Sequence, residues 1–335
     1  MTNEVEVHLG KADEVKALLS YVRDDHVDDY QKCALGFSQT LLRDLKYASW
    51  AVVRPKQGQP DDDWWVRITS PVDDVSAYAE KIPAFMAAAR LGLEIYRKNR
   101  EKIERNKLLF FPPQGMALAE TRSVQLLHYP PYEARVFCDY LYSPTQRRYE
   151  GLLRFNGYDP DKVSLLERIC DCAPLAGPGA DATGIDEVLD DFRPYAKAML
   201  TALLDTSGSV TQPVVAYGPP VHQWLHETFP KQVPQWPELF SILSLTLDPE
   251  TGAKTPVICA DHPSAFLFFD HHPPGWAVQK TRDDLITSRW QIMMSETRDA
   301  DPYEVLEACQ TYWVDRPDEV REICDIQKTE FGYDL

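Results

Sequence analysis

Two short apolar runs restrict this chain more than any other feature. Pro213-Val214-Val215-Ala216-Tyr217-Gly218 stops at a glycine, and Pro256-Val257-Ile258-Cys259-Ala260 stops at Asp261-His262-Pro263-Ser264. A continuous apolar run of this length, bounded by turn formers, reads as a strand buried on both faces, the usual condition in a parallel sheet. Pro219-Pro220 supply the fixed φ and missing amide that suit the first turn of a helix. Val221, Trp224, Leu225 and Phe229 then recur at helical spacing. The second strand therefore delivers Asp261, His262 and Ser264 to its carboxyl end, the edge at which open parallel sheets collect their chemistry.

The rest of the chain surrounds that segment with alternating patterns. Residues 11–46 carry Val15, Leu18, Leu19 and Val22 at helical spacing, then a second segment around Leu35, Leu41, Leu42 and Leu45. Trp50-Ala51-Val52-Val53-Arg54 and Trp64-Trp65-Val66-Arg67-Ile68 read as two strands of a hairpin joined by a polar loop. Residues 73–107 form one long helix or two meeting at Pro83. The last part of that stretch holds the densest positive charge in the chain, Arg97, Lys98, Arg100, Lys102, Arg105 and Lys107. Such a run can meet phosphate, although a solvated helix end is the commoner origin.

Phe111-Pro112-Pro113-Gln114-Gly115 breaks the pattern and sets a soft boundary, giving residues 1–115 as a helical region with a hairpin and residues 116–335 as an α/β domain. In the second part, 134–142 is a strand, 163–172 is a helix running into a short strand, and 185–204 is an amphipathic helix with Val188, Leu189, Phe192, Met199 and Leu203 on its core face. The predicted class is α/β, a three-layer sandwich around a central, mainly parallel sheet, with an N-terminal helical and hairpin region.

With 335 residues, 44% of them hydrophobic, the chain has ample material for a core. Its formal charge of −17 argues against a general DNA coat or a binder of anionic membranes, and leaves room for a basic protein partner. The seven cysteines are odd in number and spread through apolar runs, which fits free buried thiols in a reducing compartment. The N-terminus shows no basic start followed by an apolar stretch, and no run approaches membrane-spanning length. These features predict an intracellular protein, cytoplasmic or nuclear, with no membrane partner.

From about residue 134 to 269, the layout resembles the uracil-DNA glycosylase superfamily. The residues that carry the resemblance are the helix over 185–204 leading into Val214-Val215-Ala216-Tyr217-Gly218, and His262-Pro263-Ser264 after an apolar strand some forty residues beyond that glycine. The resemblance implies that His262 stabilises negative charge on a departing base, as an imidazole donor can in a dry pocket. It implies that Ser264 contacts a phosphate. Cys138-Asp139-Tyr140-Leu141-Tyr142-Ser143-Pro144 corresponds to the active-site turn of the family without its glycine, with Asp139 positioning water and Phe155 stacking on an extruded base. No cofactor is implied, and the partner would be single- or double-stranded nucleic acid or a nucleobase.

Two other readings stay open. No asparagine occupies the base-reading place near Cys170-Asp171-Cys172, so the scaffold can equally serve as a catalytically silent interaction protein with an acidic partner-binding surface. Separately, His222 and His226 lie four apart on one helix, and Asp261-His262 and Asp270-His271-His272 can approach the same sheet edge. That set would suit a metal-dependent hydrolase, although the glutamate of the familiar helical zinc pattern is missing and no metal ligand is assigned. A serine hydrolase is disfavoured, because no Gly-x-Ser-x-Gly elbow occurs.

Overall fold

A computed structural model describes residues 3–11, 50–55, 63–70, 76–110, 114–115, 123–128, 144–158, 167–173, 175–176, 183–204, 210–297 and 299–331. Along the chain these form β1 (Asn3–Lys11), β2 (Trp50–Pro55), β3 (Asp63–Ser70), α1 (Ser76–Arg105), β4 (Leu109–Phe110), β5 (Gln114–Gly115), β6 (Ser123–Leu127), α2 (Pro144–Phe155), β7 (Glu167–Asp171) and β8 (Leu175–Ala176). There follow α3 (Thr183–Leu203), β9 (Val214–Tyr217), α4 (Pro219–Thr228), β10 (Ile242–Thr246), β11 (Lys254–Ala260), a 3-10 helix (Pro263–His271), α5 (Trp276–Glu296), α6 (Pro302–Val314) and α7 (Pro317–Phe331). Two compact units interleave in sequence. One gathers Met1–Thr121, Tyr129–Tyr140 and Arg168–Asp205, and the other gathers Arg122–His128, Leu141–Glu167 and Thr206–Leu335.

In the first unit, β1, β3 and β2 form an antiparallel sheet with β3 in the middle, Val5 opposite Ile68 and Val53 opposite Val66. The expected pair of strands is present as β2 and β3. β1 is an addition, set by the alternation of Val5 and Val7 with Glu4 and Glu6. Helix α1 runs unbroken past Pro83, so the choice between one helix and two resolves to one. Against it packs α3, which contains Pro194 and buries Val188, Phe192, Tyr195, Met199 and Leu203. Gly92 on α1 permits the approach, since a Cβ there would stand 2.6 Å from the ring of Tyr195.

The basic end of α1 meets carboxylates of α3. Arg105 pairs with Glu187 at 2.6 Å and Lys98 with Asp191 at 3.7 Å, while Arg100 binds Glu104 one turn along its own helix at 2.5 Å. Lys98, Arg100 and Arg105 of the densest positive run thus each face a carboxylate.

The second unit is built on an open sheet in the order β10-β11-β9-β6, with β6, β9 and β11 parallel and β10 antiparallel at the edge. Every residue of β6 and β9 is buried, as the continuous apolar run of β9 predicts, whereas β10 exposes Ser244. Helix α5 packs on β6, β9 and β11 and is itself covered by α2, α6 and α7. It is buried nearly all round, so its polar residues must be satisfied internally. Gln291 illustrates the solution: its carbonyl accepts from the Tyr149 hydroxyl at 2.7 Å, and its amide donates to Ser123 Oγ at 2.8 Å, tying α2, α5 and the first residue of β6 together. Among the described residues no helix is long and apolar enough to cross a membrane.

Candidate functional site

The carboxyl ends of β9 and β11 lie side by side, with Ala216 opposite Cys259 and Tyr217 opposite Ala260. Gly218 closes β9 at φ 88°, a left-handed conformation that an L side chain rarely adopts, and its N–H donates to the Ala260 carbonyl at 2.7 Å. Its own carbonyl accepts from the Val221 and His222 amides and so starts α4, with Pro219 and Pro220 in the first turn as expected. Only 3.6 Å separates the place of a Gly218 Cβ from Cβ of His262. The Gly turn and the His-Pro-Ser turn are therefore immediate neighbours.

His262 caps the 3-10 helix. Its φ of −62° and ψ of 131° are the extended values imposed on a residue before proline. Nδ1 accepts the backbone N–H of Ser264 at 3.2 Å and lies 2.6 Å from Ser264 Oγ. A neutral imidazole has one acceptor nitrogen, so a ring that accepts at Nδ1 carries its proton on Nε2 and donates from there. The ring is half-buried and held down at about 4, first by burial and next by the nearby Lys280 charge, with His128 and Arg148 adding to the effect and Asp284 opposing it. At neutral pH His262 is thus an uncharged Nε2–H donor.

Behind the turn sits a buried charged cluster. Arg148, on α2, is fully buried and donates from Nη1 to the Pro263 carbonyl at 2.8 Å and to Asp284 Oδ2 at 2.5 Å. Its Nη2 reaches Gln327 Oε1 at 3.3 Å, and its guanidinium lies 4.2 Å from the centre of the Phe266 ring. Lys280, one turn before Asp284 on α5, is bonded to Asp284 Oδ1. Burial lowers the Lys280 amine from its ordinary value and Arg148 lowers it further, while Asp284 and Asp261 oppose the shift. The Arg148, Asp284 and Lys280 side chains are respectively 0%, 5% and 2% exposed, so none is a solvated surface group.

The other histidines of the region are engaged elsewhere. His222 donates from Nε2 to the Ala216 carbonyl at 3.0 Å, and its pKa is lowered chiefly by burial. His226 bonds the Val233 carbonyl through Nδ1 at 2.9 Å, and His272 stacks on Trp276 at 3.7 Å between ring centres. The i, i+4 pair thus commits one nitrogen of each ring to backbone. Among the described residues no group of three or more His, Cys, Asp or Glu side chains is arranged to hold a metal ion.

Of the residues named from sequence, His262 and Ser264 stand together, with the Ser264 hydroxyl turned onto the imidazole. A phosphate contact by that hydroxyl requires it to rotate away. Phe155 ends α2, half-buried, roughly 10 Å along the helix from Arg148 at 1.5 Å per residue, and no described contact joins it to His262. Asp139 and the strand expected over 134–142 lie outside the described residues, as does most of the helical stretch expected over 11–46. Sequence reasoning missed Arg148, Lys280 and Asp284. Lys280 and Asp284 do carry a signal, their i, i+4 spacing, but on sequence alone that reads as a surface pair. The sequence matches no known family model and no curated protein.

Proposed function

We propose that the strand-end site acts on a nucleobase, hydrolysing its N-glycosidic bond, on an α/β scaffold of the uracil-DNA glycosylase type. The observation that carries this reading is the geometry of His262, whose Nδ1 accepts the Ser264 N–H and so leaves Nε2 to donate. When the bond from C1′ to the base nitrogen breaks, its electron pair leaves with the base, and negative charge spreads onto the carbonyl oxygens of the ring. A neutral Nε2–H fixed by its other nitrogen meets that charge without reorganising and needs no proton from solvent. Water supplies oxygen to C1′, Asp139 orients that water and takes up its proton, Phe155 stacks on the base, and Ser264 contacts phosphate. The order of the later elements supports the assignment: β9 with Gly218 and α4, then β11 with His-Pro-Ser.

His262→Ala abolishes release of base from uracil-, hypoxanthine- or xanthine-containing DNA and leaves the melting temperature within a few degrees of wild type. Absence of release from all three in the wild-type protein, single- or double-stranded, overturns the enzymatic reading.

A second reading, a silent interaction protein, is favoured by the pairing of the α1 basic run with Glu187 and Asp191, which weakens the main source of attraction to DNA phosphates. Capture of a protein partner that survives nuclease treatment, together with no base release, would select it.

A further inference from the structure

We propose that the buried cluster of Arg148, Asp284 and Lys280 is a positioning device for His262. In it, Arg148 fixes the turn that carries the imidazole, and the surplus positive charge of the cluster favours negative charge arriving at Nε2. The inference rests on reading His262 as the donor to a departing base, but its test does not require a substrate.

Two geometric facts support it. First, Arg148 Nη1 serves two acceptors at once, the Pro263 carbonyl inside the His-Pro-Ser turn and Asp284 on α5. The turn is therefore clamped to a long buried helix, and the stack on Phe266 holds the guanidinium plane in place. Second, one carboxylate faces two cations, since Asp284 gives one oxygen to Arg148 and the other to Lys280. A buried array of two positive charges and one negative leaves a net positive field, and its low-dielectric setting lets that field reach the neighbouring ring. Such a field opposes a second proton on His262 and favours negative charge arriving at Nε2.

Most of the charged groups around the imidazole disfavour a second proton. From α5 come Lys280, disfavouring the imidazolium, and Asp284, favouring it; Arg148 on α2 and His128 just after β6 disfavour it. On the neighbouring backbone Asp261 is exposed, and His222 is turned onto the Ala216 carbonyl. Burial is the largest influence against the imidazolium, and the cations add to it because Asp284 is already shared between two of them.

The test is the titration of His262 followed by NMR of ring-labelled protein, with His262→Gln identifying its signal among the eight histidines. Lys280→Met is expected to raise the midpoint by about one pH unit or more, and Lys280→Arg to leave it within about 0.3 unit. An unchanged midpoint in folded Lys280→Met overturns the inference, because Lys280 then exerts no charge on the ring. Should Lys280→Met fail to fold, Lys280→Gln takes its place. The wild-type ring decides independently of any variant: its nitrogen shifts at pH 7 must report a neutral Nε2–H tautomer, and an Nδ1–H or charged ring overturns the inference. Base release is scored separately. A shifted midpoint without release sinks the glycosylase reading and leaves the positioning device, whereas release with an unshifted midpoint does the reverse.

Discussion

Two arginine–carboxylate pairs in this protein are almost the same length and do different work. Arg148 meets Asp284 at 2.5 Å with both side chains at 5% exposure or less. Arg105 meets Glu187 at 2.6 Å with 65% and 47% of their side-chain surfaces in solvent. Water screens the outer pair and competes for each partner, so its attraction nearly cancels the entropy of holding two long side chains. The inner pair has no solvent to fall back on, and its charges act on whatever lies nearby, here the His-Pro-Ser turn. Distance alone does not separate an ion pair that shapes chemistry from one that covers a surface. Burial does.

The largest effect expected from this contrast comes from removing one side of the inner pair. Asp284→Asn leaves Arg148 and Lys280 buried with too little negative charge between them, and truncating one partner of a buried pair costs about 3–5 kcal/mol. Chemical denaturation at pH 7 measures it. A loss below about 1 kcal/mol would mean that water or another acceptor reaches the cations, and the inner pair would then behave as the outer one does.

The next effect is on pH dependence. His262 titrates at about 4 in the folded chain and near 6.5 when unfolded. Above pH 6.5 both states hold a neutral ring, so the full stability is present. As pH falls from 6.5 toward 4 only the unfolded chain takes up the proton, and stability declines by up to about 3 kcal/mol. His222, also lowered, adds to the same slope, and Asp283, raised mainly by burial, opposes it. Comparing wild type with His262→Gln across this window isolates the ring, because the other two groups remain. Equal slopes would mean that His262 carries its ordinary protonation in the fold.

The same contrast explains what was legible beforehand. Strands β9 and β11, the Gly218 turn and helix α4 announce themselves because buried strands need continuous apolar runs and a helix start needs its own chemistry. His262 and Ser264 follow by position. Helix α5 defeats periodicity: it is buried nearly all round, yet carries Lys280, Asp283, Asp284, Thr287, Ser288 and Gln291, so no apolar stripe marks a core face. Helix α6 carries a local start signal, Asp301 before Pro302, whose carboxylate accepts from the Tyr303 and Glu304 amides. Arg148 could not be read at all, since its partners lie 115, 136 and 179 residues away.

The smallest effect belongs to the outer pair, and it is the control that gives the larger ones meaning. Glu187→Gln removes the carboxylate that meets Arg105, but the amide keeps much of the same shape and the guanidinium returns to water. Exposed pairs of this kind contribute about 0–1 kcal/mol, and part of that is screened by salt. Denaturation midpoints for Glu187→Gln and wild type should therefore nearly coincide at 0.15 M salt and differ slightly more at low salt. The approach of α1 to α3 does not depend on this pair, because buried Tyr195 of α3 lies against Gly92 of α1. A loss above about 2 kcal/mol would show that the α1–α3 ion pairs behave as a buried network, and burial would no longer distinguish the two regions.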